Sequence, residues 1–252
     1  MKHYIIGDVH GHYDTLMKLV AKLPSDAKLI FVGDLIDRGS RSVEVVRFVR
    51  EGGHGCVMGN HEEMMVQYGT SFSKVYPKNA HTSFLSLWYS NGGDTTLISY
   101  GLLKHTLDGL KCVENEKNIN QFIDDIEWMK TLPLYLELDV KHSSGKPIVI
   151  SHACIGSVWH FHDDPNNQET FSEYALWNRK RPSSEMSIFN IFGHTPVEFG
   201  IAIEESYVNV DTGCYMNEYG YGELSAYCVE TGEVVKVNRR LEIFKKVDND
   251  DV

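Results

Sequence analysis

Five short apolar segments of this chain each run directly into a cluster rich in Gly, Asp, Asn or His. The most informative cluster is the Gly-Asp-Leu-Ile-Asp-Arg-Gly sequence at 33–39, which follows the apolar residues 29–32. A short apolar run bounded by glycine predicts a buried β-strand. In open α/β sheets, ligands bind just beyond the carboxyl ends of the strands. The pattern therefore predicts an α/β fold in which several strand ends bring polar side chains to one site.

The order of elements predicts how the first strands pair. Residues 13–23 carry leucine and valine at helical spacing, between the apolar runs at 4–6 and 29–32. A strand–helix–strand order makes the two strands parallel neighbours. A further helix is predicted at 42–51 and a β-hairpin at 223–237. The remaining clusters follow apolar runs at 56–58, 148–151 and 188–192.

Residues 64–140 contain no strand that ends in such a cluster. We interpret this region as a mainly helical insertion beside the site, with a clear amphipathic helix at 119–129. An exposed loop is predicted at 74–79 and a strand at 134–140. The charged residues 245–252 are predicted to fray.

The composition excludes several classes of protein. A length of 252 residues suits one α/β domain, which we expect to span 1–252. The net charge of -11 argues against a nucleic-acid partner. No apolar run reaches the roughly 18 residues of a membrane span, and no signal peptide is recognisable, so a cytoplasmic protein without a membrane partner is expected. The five cysteines form no CxxC pair, which predicts reduced thiols.

The strand ends supply oxygen and imidazole donors but no thiolate. Such a donor set favours manganese, iron or zinc over magnesium. The number of donors exceeds what one catalytic metal needs, so two metals are predicted, with Asp34 bridging them. Singly, each residue is more often a hydrogen-bonded loop residue; their joint occurrence after five apolar runs favours a metal site. The predicted ligands are Asp8, His10, Asp34, Asn60, His152 and His194.

The same clusters resemble the signature motifs of calcineurin-like metallophosphoesterases, in particular the phosphoprotein phosphatase branch with its phage and bacterial members. The similarity covers most of residues 3–229. It implies a sandwich of two mixed β-sheets flanked by helices. The matching segments are Gly-Asp-Val-His-Gly at 7–11, the 33–39 motif, Gly-Asn-His-Glu at 59–62, Trp88 with Asn-Gly-Gly at 91–93, His152-Ala153, Trp-Asn-Arg at 177–179, Gly-His-Thr-Pro at 193–196 and Asp-Thr-Gly at 211–213.

The resemblance implies a role for each matching position. Asp8, His10 and Asp34 would hold the first divalent metal, most simply Mn²⁺, with iron or zinc as alternatives. The second metal would be held by Asp34, Asn60, His152 and His194. The phosphate would be bound by Arg38, Asn60 and Arg179. The catalytic residues would be His61 as general acid, Asp37 as its positioning partner, Arg38 and Arg179.

Three functions are compatible with these motifs. The favoured one is a serine/threonine protein phosphatase, with phosphotyrosine as a second substrate and a phosphorylated protein as partner. Such a phosphatase hydrolyses phosphomonoesters and uses a metal-activated water for in-line attack on phosphorus. The alternative is a diadenosine tetraphosphate hydrolase, which shares the early motifs. Asp37 within Asp-Arg-Gly and the Thr195-Pro196 pair favour the phosphatase.

The third function is a metal-stabilised binding module, which would require a missing catalytic group; none is missing. A cysteine phosphatase is not supported, because no arginine follows Cys154 at a loop-closing distance. The tyrosines of the segment 214–221 are expected to be core and hairpin aromatics, with stacking on a substrate as the alternative. The sequence makes no prediction of oligomeric state.

Overall fold

The computed structural model describes residues 1–78 and 86–239, so the predicted frayed end at 245–252 lies outside the described residues. The described α-helices are α1 (Tyr13–Val20), α2 (Ser42–Glu51), α3 (Asn60–Met64), α4 (Thr70–Val75), α5 (Asp94–Ser99), α6 (Glu116–Met129) and α7 (Gln168–Trp177). The described strands are β1 (His3–Ile6), β2 (Lys28–Phe31), β3 (Gly55–Cys56), β4 (Leu103–Thr106), β5 (Gly109–Cys112), β6 (Tyr135–Lys141), β7 (Pro147–Ser151), β8 (Phe189–Phe192), β9 (Ala202–Ile203), β10 (Tyr207–Asn209), β11 (Glu223–Cys228) and β12 (Val234–Asn238).

The first sheet is a mixed, five-stranded sheet with the order β12-β11-β1-β2-β3. Strands β1, β2 and β3 are parallel, and His3 pairs with Lys28 at the start of the β1–β2 register. Strand β11 runs antiparallel to β1 and forms the predicted hairpin with β12. The parallel pairing of β1 and β2 around α1 is therefore confirmed.

The second sheet is also mixed and five-stranded, with the order β6-β7-β8-β10-β9. Its central strands β7, β8 and β10 are parallel, and β6 and β9 pair antiparallel at the two edges. The carboxyl ends of β7 and β8 thus lie side by side, which places the residues that follow them next to each other.

The two sheets share one apolar layer because strand side chains alternate between faces. In β1, Ile5 belongs to a buried cluster that also contains Ile150 and Ile191 of the second sheet. Its neighbours Tyr4 and Ile6 belong to a different cluster. The α/β sandwich of two mixed sheets expected from the resemblance is therefore confirmed.

Helices cover the outer face of each sheet. On the first sheet, Leu16 of α1, Val46 of α2 and Phe122 of α6 join the cluster of Tyr4 and Ile6. On the second sheet, helix α7 packs through Phe171 onto residues of β7 and its following loop. No helix among residues 1–78 and 86–239 is long and apolar enough to cross a bilayer, and all five cysteines are free.

The segment 64–140 is helical as predicted, but it also contains the β4–β5 hairpin, which the sequence analysis missed. Only Leu103 in this hairpin is buried, so its apolar pattern is too weak to indicate strands. The loop predicted at 74–79 is also partly wrong, because α4 extends through Val75. The strand predicted at 134–140 is present as β6.

Asn190 ties β8 to the loop that follows β7. Its Oδ1 accepts the N–H of Ile155 at 2.9 Å, and its Nδ2 donates to Val149 O at 3.0 Å and to Ser151 Oγ at 2.9 Å. Since the amide is fully buried, an apolar replacement leaves buried polar groups without partners.

We expect Asn190→Leu to lower the free energy of unfolding by about 2–4 kcal/mol. Urea denaturation followed by circular dichroism measures the loss. The matched control is Asn120→Leu, at an exposed position of α6, which should change the free energy of unfolding by less than about 0.5 kcal/mol. Equal stability of the two variants would contradict the structural role of Asn190.

Candidate active site

Polar residues that follow β1, β2 and β3 in the first sheet and β7 and β8 in the second meet at one edge of the sandwich. The predicted metal ligands are all buried, none of them more than 4% exposed. Such complete burial of charged and polar side chains requires compensating partners. The ligand atoms form two groups that share Asp34.

The first group contains His10, Asp34 and His61. Asp34 Oδ2 lies 3.5 Å from His10 Nε2 and 3.8 Å from His61 Nε2. The Nδ1 of His10 donates to Ile36 O at 2.9 Å. The proton of the neutral imidazole is therefore on Nδ1, and the Nε2 lone pair faces the group.

The second group contains Asp34, His152 and His194. The Nδ1 of His152 donates to Val32 O at 2.8 Å, so its Nε2 is an acceptor. This Nε2 lies 3.4 Å from Asp34 Oδ1, 2.8 Å from Asn60 Oδ1 and 3.0 Å from His194 Nδ1. Asn60 Oδ1 and His194 Nδ1 are 3.0 Å apart.

These contacts bring acceptor atoms against one another. Burial lowers the pKa of His152 and lowers that of His194 to about 3, so both imidazoles are neutral near pH 7. A single proton on His194 Nδ1 cannot satisfy all of these acceptors. It would also make the buried His194 Nε2 an acceptor, and this atom has no hydrogen-bond partner among the described residues. A divalent cation between these oxygen and nitrogen atoms removes the conflict, so the residues fit a metal.

Asp34 is the residue that the two groups share, and its predicted bridging role stays a prediction. Its Oδ2 faces the first group and its Oδ1 faces the second. Burial by itself raises the pKa of Asp34, but the imidazoles of His152, His61 and His10 outweigh burial and lower it below the ordinary value. The carboxylate is therefore ionised at neutral pH, as a metal ligand must be.

Asp8 lies beside the second group rather than within either one. Its two carboxylate oxygens accept the backbone N–H of His194 at 3.3 and 3.2 Å. Burial and the neighbouring Asp211 raise the pKa of Asp8. Its predicted role as a ligand of the first metal, together with His10 and Asp34, stays a prediction.

His61 is held by a buried network around Asp37. His61 Nδ1 donates to Asp37 Oδ2 at 2.6 Å, and Asp37 also accepts from Trp88 Nε1 at 3.0 Å and Thr96 Oγ1 at 2.6 Å. Burial lowers the pKa of His61, but Asp34 and Asp37 outweigh it and raise the pKa above the ordinary value. In the sequence, Trp88 is recognisable only as part of a motif, and Thr96, which lies far along the chain from Asp37, carries no local signal.

Glu62 organises two of the strand-end loops, a role the sequence analysis missed. Its carboxylate oxygens accept the backbone N–H groups of Asp34, Leu35 and Gly59 at 2.8–3.0 Å. Burial raises the pKa of Glu62 to about 7. The available signal was the position of Glu62 three residues after Gly59, which is a capping-box spacing.

Five residues of the site have left-handed backbone conformations, with φ between 48° and 70°. Such conformations are uncommon outside glycine and concentrate at functional sites, where the surroundings enforce them. Gly92 supports one of them, because it adopts φ 101° and a Cβ there would lie 2.8 Å from Arg38 N. The five residues are His10, Asp34, Asp37, Arg38 and His194.

Two arginines border the ligand groups, as predicted. Arg38 Nη1 lies 2.6 Å from His10 Nε2, and its Nη2 lies 3.1 Å from His61 Nε2. Arg179 Nη1 donates to His194 O at 3.2 Å. Both guanidinium groups therefore border the ligand groups, and their predicted role in binding phosphate stays a prediction.

Tyr215 packs against Arg38, with the guanidinium carbon 3.9 Å from the ring centroid. Its ring also meets that of His10 edge-on at 4.9 Å. The expectation that the tyrosines of 214–221 belong to the core is wrong for Tyr215 and for Tyr219, which is 82% exposed. Arg239 fixes the loop by donating to Cys214 O at 2.7 Å; its distance in sequence hid this contact from the sequence analysis.

Comparison with known proteins identifies relatives of this chain. The asymmetrical bis(5'-nucleosyl)-tetraphosphatase PrpE of Halalkalibacterium halodurans is 30% identical over 242 residues, which cover 85% of this chain and 86% of the relative. The protein of the same name from Bacillus velezensis is 28% identical and covers 85% of each chain. A solved structure assigned as a diadenosine tetraphosphatase superposes with a TM-score of 0.58 at 17% identity, over 94% of this chain and 92% of the other, which shows a common fold.

The family model of the calcineurin-like phosphoesterases matches residues 1–198. The match includes Asp8 and the residues of both ligand groups, from His10 to His194. It confirms the resemblance drawn from the motifs and shows that the protein is a hydrolase of the metallophosphoesterase type. The chain belongs to the calcineurin-like phosphoesterase family.

Proposed function

We propose that this protein is a metal-dependent hydrolase of bis(5'-nucleosyl) tetraphosphates. The observation that carries the proposal is the similarity, over about 85% of both chains, to relatives that bear this name. The protein phosphatase favoured by Asp37 and by the Thr195-Pro196 pair is not confirmed. These motifs report the chemistry of the site, whereas the substrate depends on surfaces around it.

The metals have defined candidate ligands in this proposal. His10 and Asp34, together with Asp8 as the resemblance implies, would hold one divalent ion. Asp34, Asn60, His152 and His194 would hold the other. The donor set favours manganese, with iron and zinc as alternatives. Two such ions would supply a water of lowered pKa and neutralise phosphate charge.

The chain's own residues orient the substrate and complete the proton transfer. Arg38 and Arg179 bind the phosphoryl oxygens, and Tyr215 keeps the Arg38 guanidinium in place by stacking on it. Asp37 holds the ring of His61 so that Nε2 faces the site. Water adds to one phosphorus, the bond from that phosphorus to a bridging oxygen breaks, and His61 gives its proton to the departing oxygen.

The leading test compares two substrates in one preparation. Initial rates are measured on diadenosine tetraphosphate and on a phosphoserine peptide, in protein stripped of metal and then supplied with Mn²⁺. We expect metal-dependent cleavage of the dinucleotide to be the faster reaction. Faster release of phosphate from the peptide would overturn the proposal in favour of a protein phosphatase, and turnover of neither substrate by metal-loaded protein would favour a binding module.

Replacement of His61 separates the two chemistries further. A phosphate group leaves readily without a proton, whereas a serine alkoxide does not. We therefore expect His61→Ala to lower kcat on a phosphoserine peptide by about 10²–10⁴, and to lower it on diadenosine tetraphosphate by a clearly smaller factor. The control is His105→Ala, at an exposed imidazole of β4, which should leave both rates unchanged. An undiminished rate on the peptide would show that His61 is not the acid.

Metal content tests the shared position of Asp34. Mass spectrometry of dialysed protein should find about two ions per chain in the wild type. We expect Asp34→Asn to lower the content at both sites, and His194→Ala to lower it at one. Asp108→Asn, at a side chain that is 79% exposed, is the matched control. Retention of two ions by Asp34→Asn would contradict the bridging position.

A further inference from the structure

The segment at the end of α7 borders a cleft beside the second ligand group. The cleft has a volume of about 380 Å³. Small-molecule sites have volumes of about 300–1,000 Å³, so the cleft is large enough for part of a ligand. The residues that line it are Glu173, Tyr174, Trp177, Asn178, Arg179 and Lys180.

Trp177 presents an aromatic surface to this cleft in a fixed orientation. Its side chain is 38% exposed, although most large apolar side chains of the described chain are buried. The indole N–H donates to Glu63 Oε2 at 2.8 Å, which ties the ring to α3. The ring centroid lies 6.3 Å from that of His194, with the planes nearly perpendicular. A rigid, exposed aromatic ring therefore stands at the border of the metal-ligand groups.

Two cations line the cleft together with this ring. Arg179 reaches toward the second ligand group through its hydrogen bond to His194 O. Lys180 lines the same cleft, where its Nζ donates to Tyr174 Oη at 2.8 Å. The backbone at both cations is held by the residue before them, because Asn178 Nδ2 donates to Cys154 O at 2.7 Å and its Oδ1 accepts from Lys180 N at 3.0 Å.

We propose that this cleft binds one nucleoside end of the substrate, with the base stacked on Trp177 and phosphate oxygens on Arg179 and Lys180. The inference rests on the proposed function and names its base-binding site. Stacking accepts any base, since every base has a π-face. A second cation beyond Arg179 suits a chain of several phosphates better than the single phosphate of a phosphopeptide, whose charge the metals, Arg38 and Arg179 already meet.

Binding of a hydrolysis-resistant pair of ligands tests the inference without turnover. α,β-Methylene-ADP and methylenediphosphonate differ by the nucleoside, and titration calorimetry on Mn²⁺-loaded protein measures their affinities. We expect the wild type to bind the nucleotide at least about tenfold more tightly, and Trp177→Ala to abolish most of that preference. Trp177→Phe should retain the preference within about threefold, because phenylalanine keeps an aromatic face.

Two further variants keep the test decisive. Lys180→Ala changes an exposed side chain and should weaken binding of the nucleotide about threefold. Leu107→Ala, at a fully exposed apolar side chain of the β4–β5 hairpin, is the control and should match the wild type.

A nucleoside preference that survives Trp177→Ala would overturn the inference even if diadenosine tetraphosphate is hydrolysed. A preference that depends on Trp177 would support it even if the dinucleotide is not a substrate. If Trp177→Ala weakens only the binding of a phosphonate-containing peptide, the cleft is a peptide site and the inference is wrong.

Discussion

The carboxylate of Glu62 holds the loops of β2 and β3 together, and the geometry of the site depends on this contact. It accepts three backbone N–H groups, from Asp34, Leu35 and Gly59. Hydrogen bonds to a buried carboxylate are stronger than those between neutral groups and offset part of the cost of burying it. They stabilise Asp34 in a left-handed conformation, from which its two oxygens face two different groups of ligands.

Next to Asp34, the second ligand group brings more acceptor atoms together than its donors can satisfy. Backbone carbonyls of Ile36 and Val32 fix the protons of His10 and His152 away from the site, so that lone pairs point inward. Such an arrangement costs stability unless a cation occupies it. We infer that the site is built for binding metal, and that the packed sandwich around it supplies the stability that the site does not.

The same edge of the sandwich carries two kinds of surroundings. On one side, Tyr215 packs on the partly buried Arg38. Arg239, which directly follows β12, holds the loop of Tyr215 through a hydrogen bond to Cys214 O. On the other side, Trp177 and Arg179 form an open border held by Glu63 and by the carbonyl of His194. The ligand groups between them perform chemistry common to the family, whereas the borders are where a substrate can be selected.

The sequence by itself determined the α/β class, the parallel β1–β2 pair and the residues at the five strand ends, because short apolar runs and the turns after them are local patterns. It also indicated the pairing of His61 with Asp37 through the family resemblance. It did not reveal Glu62, Thr96 or Arg239 as supports of the site, since a hydrogen bond between distant parts of the chain leaves no periodic signal.

Only the tertiary structure decided which side chains surround the ligand groups. The sequence alone predicts a core or hairpin aromatic at Tyr215 and shows Trp177 only as part of a motif, yet one packs on Arg38 and the other lies exposed beside His194. Their positions follow from how the two sheets stack. They also depend on where the end of α7 places Trp177 and where the β10–β11 connection places Tyr215. Motifs of the metal site are therefore readable from sequence, while the substrate-binding surfaces depend on packing between segments far apart in the chain.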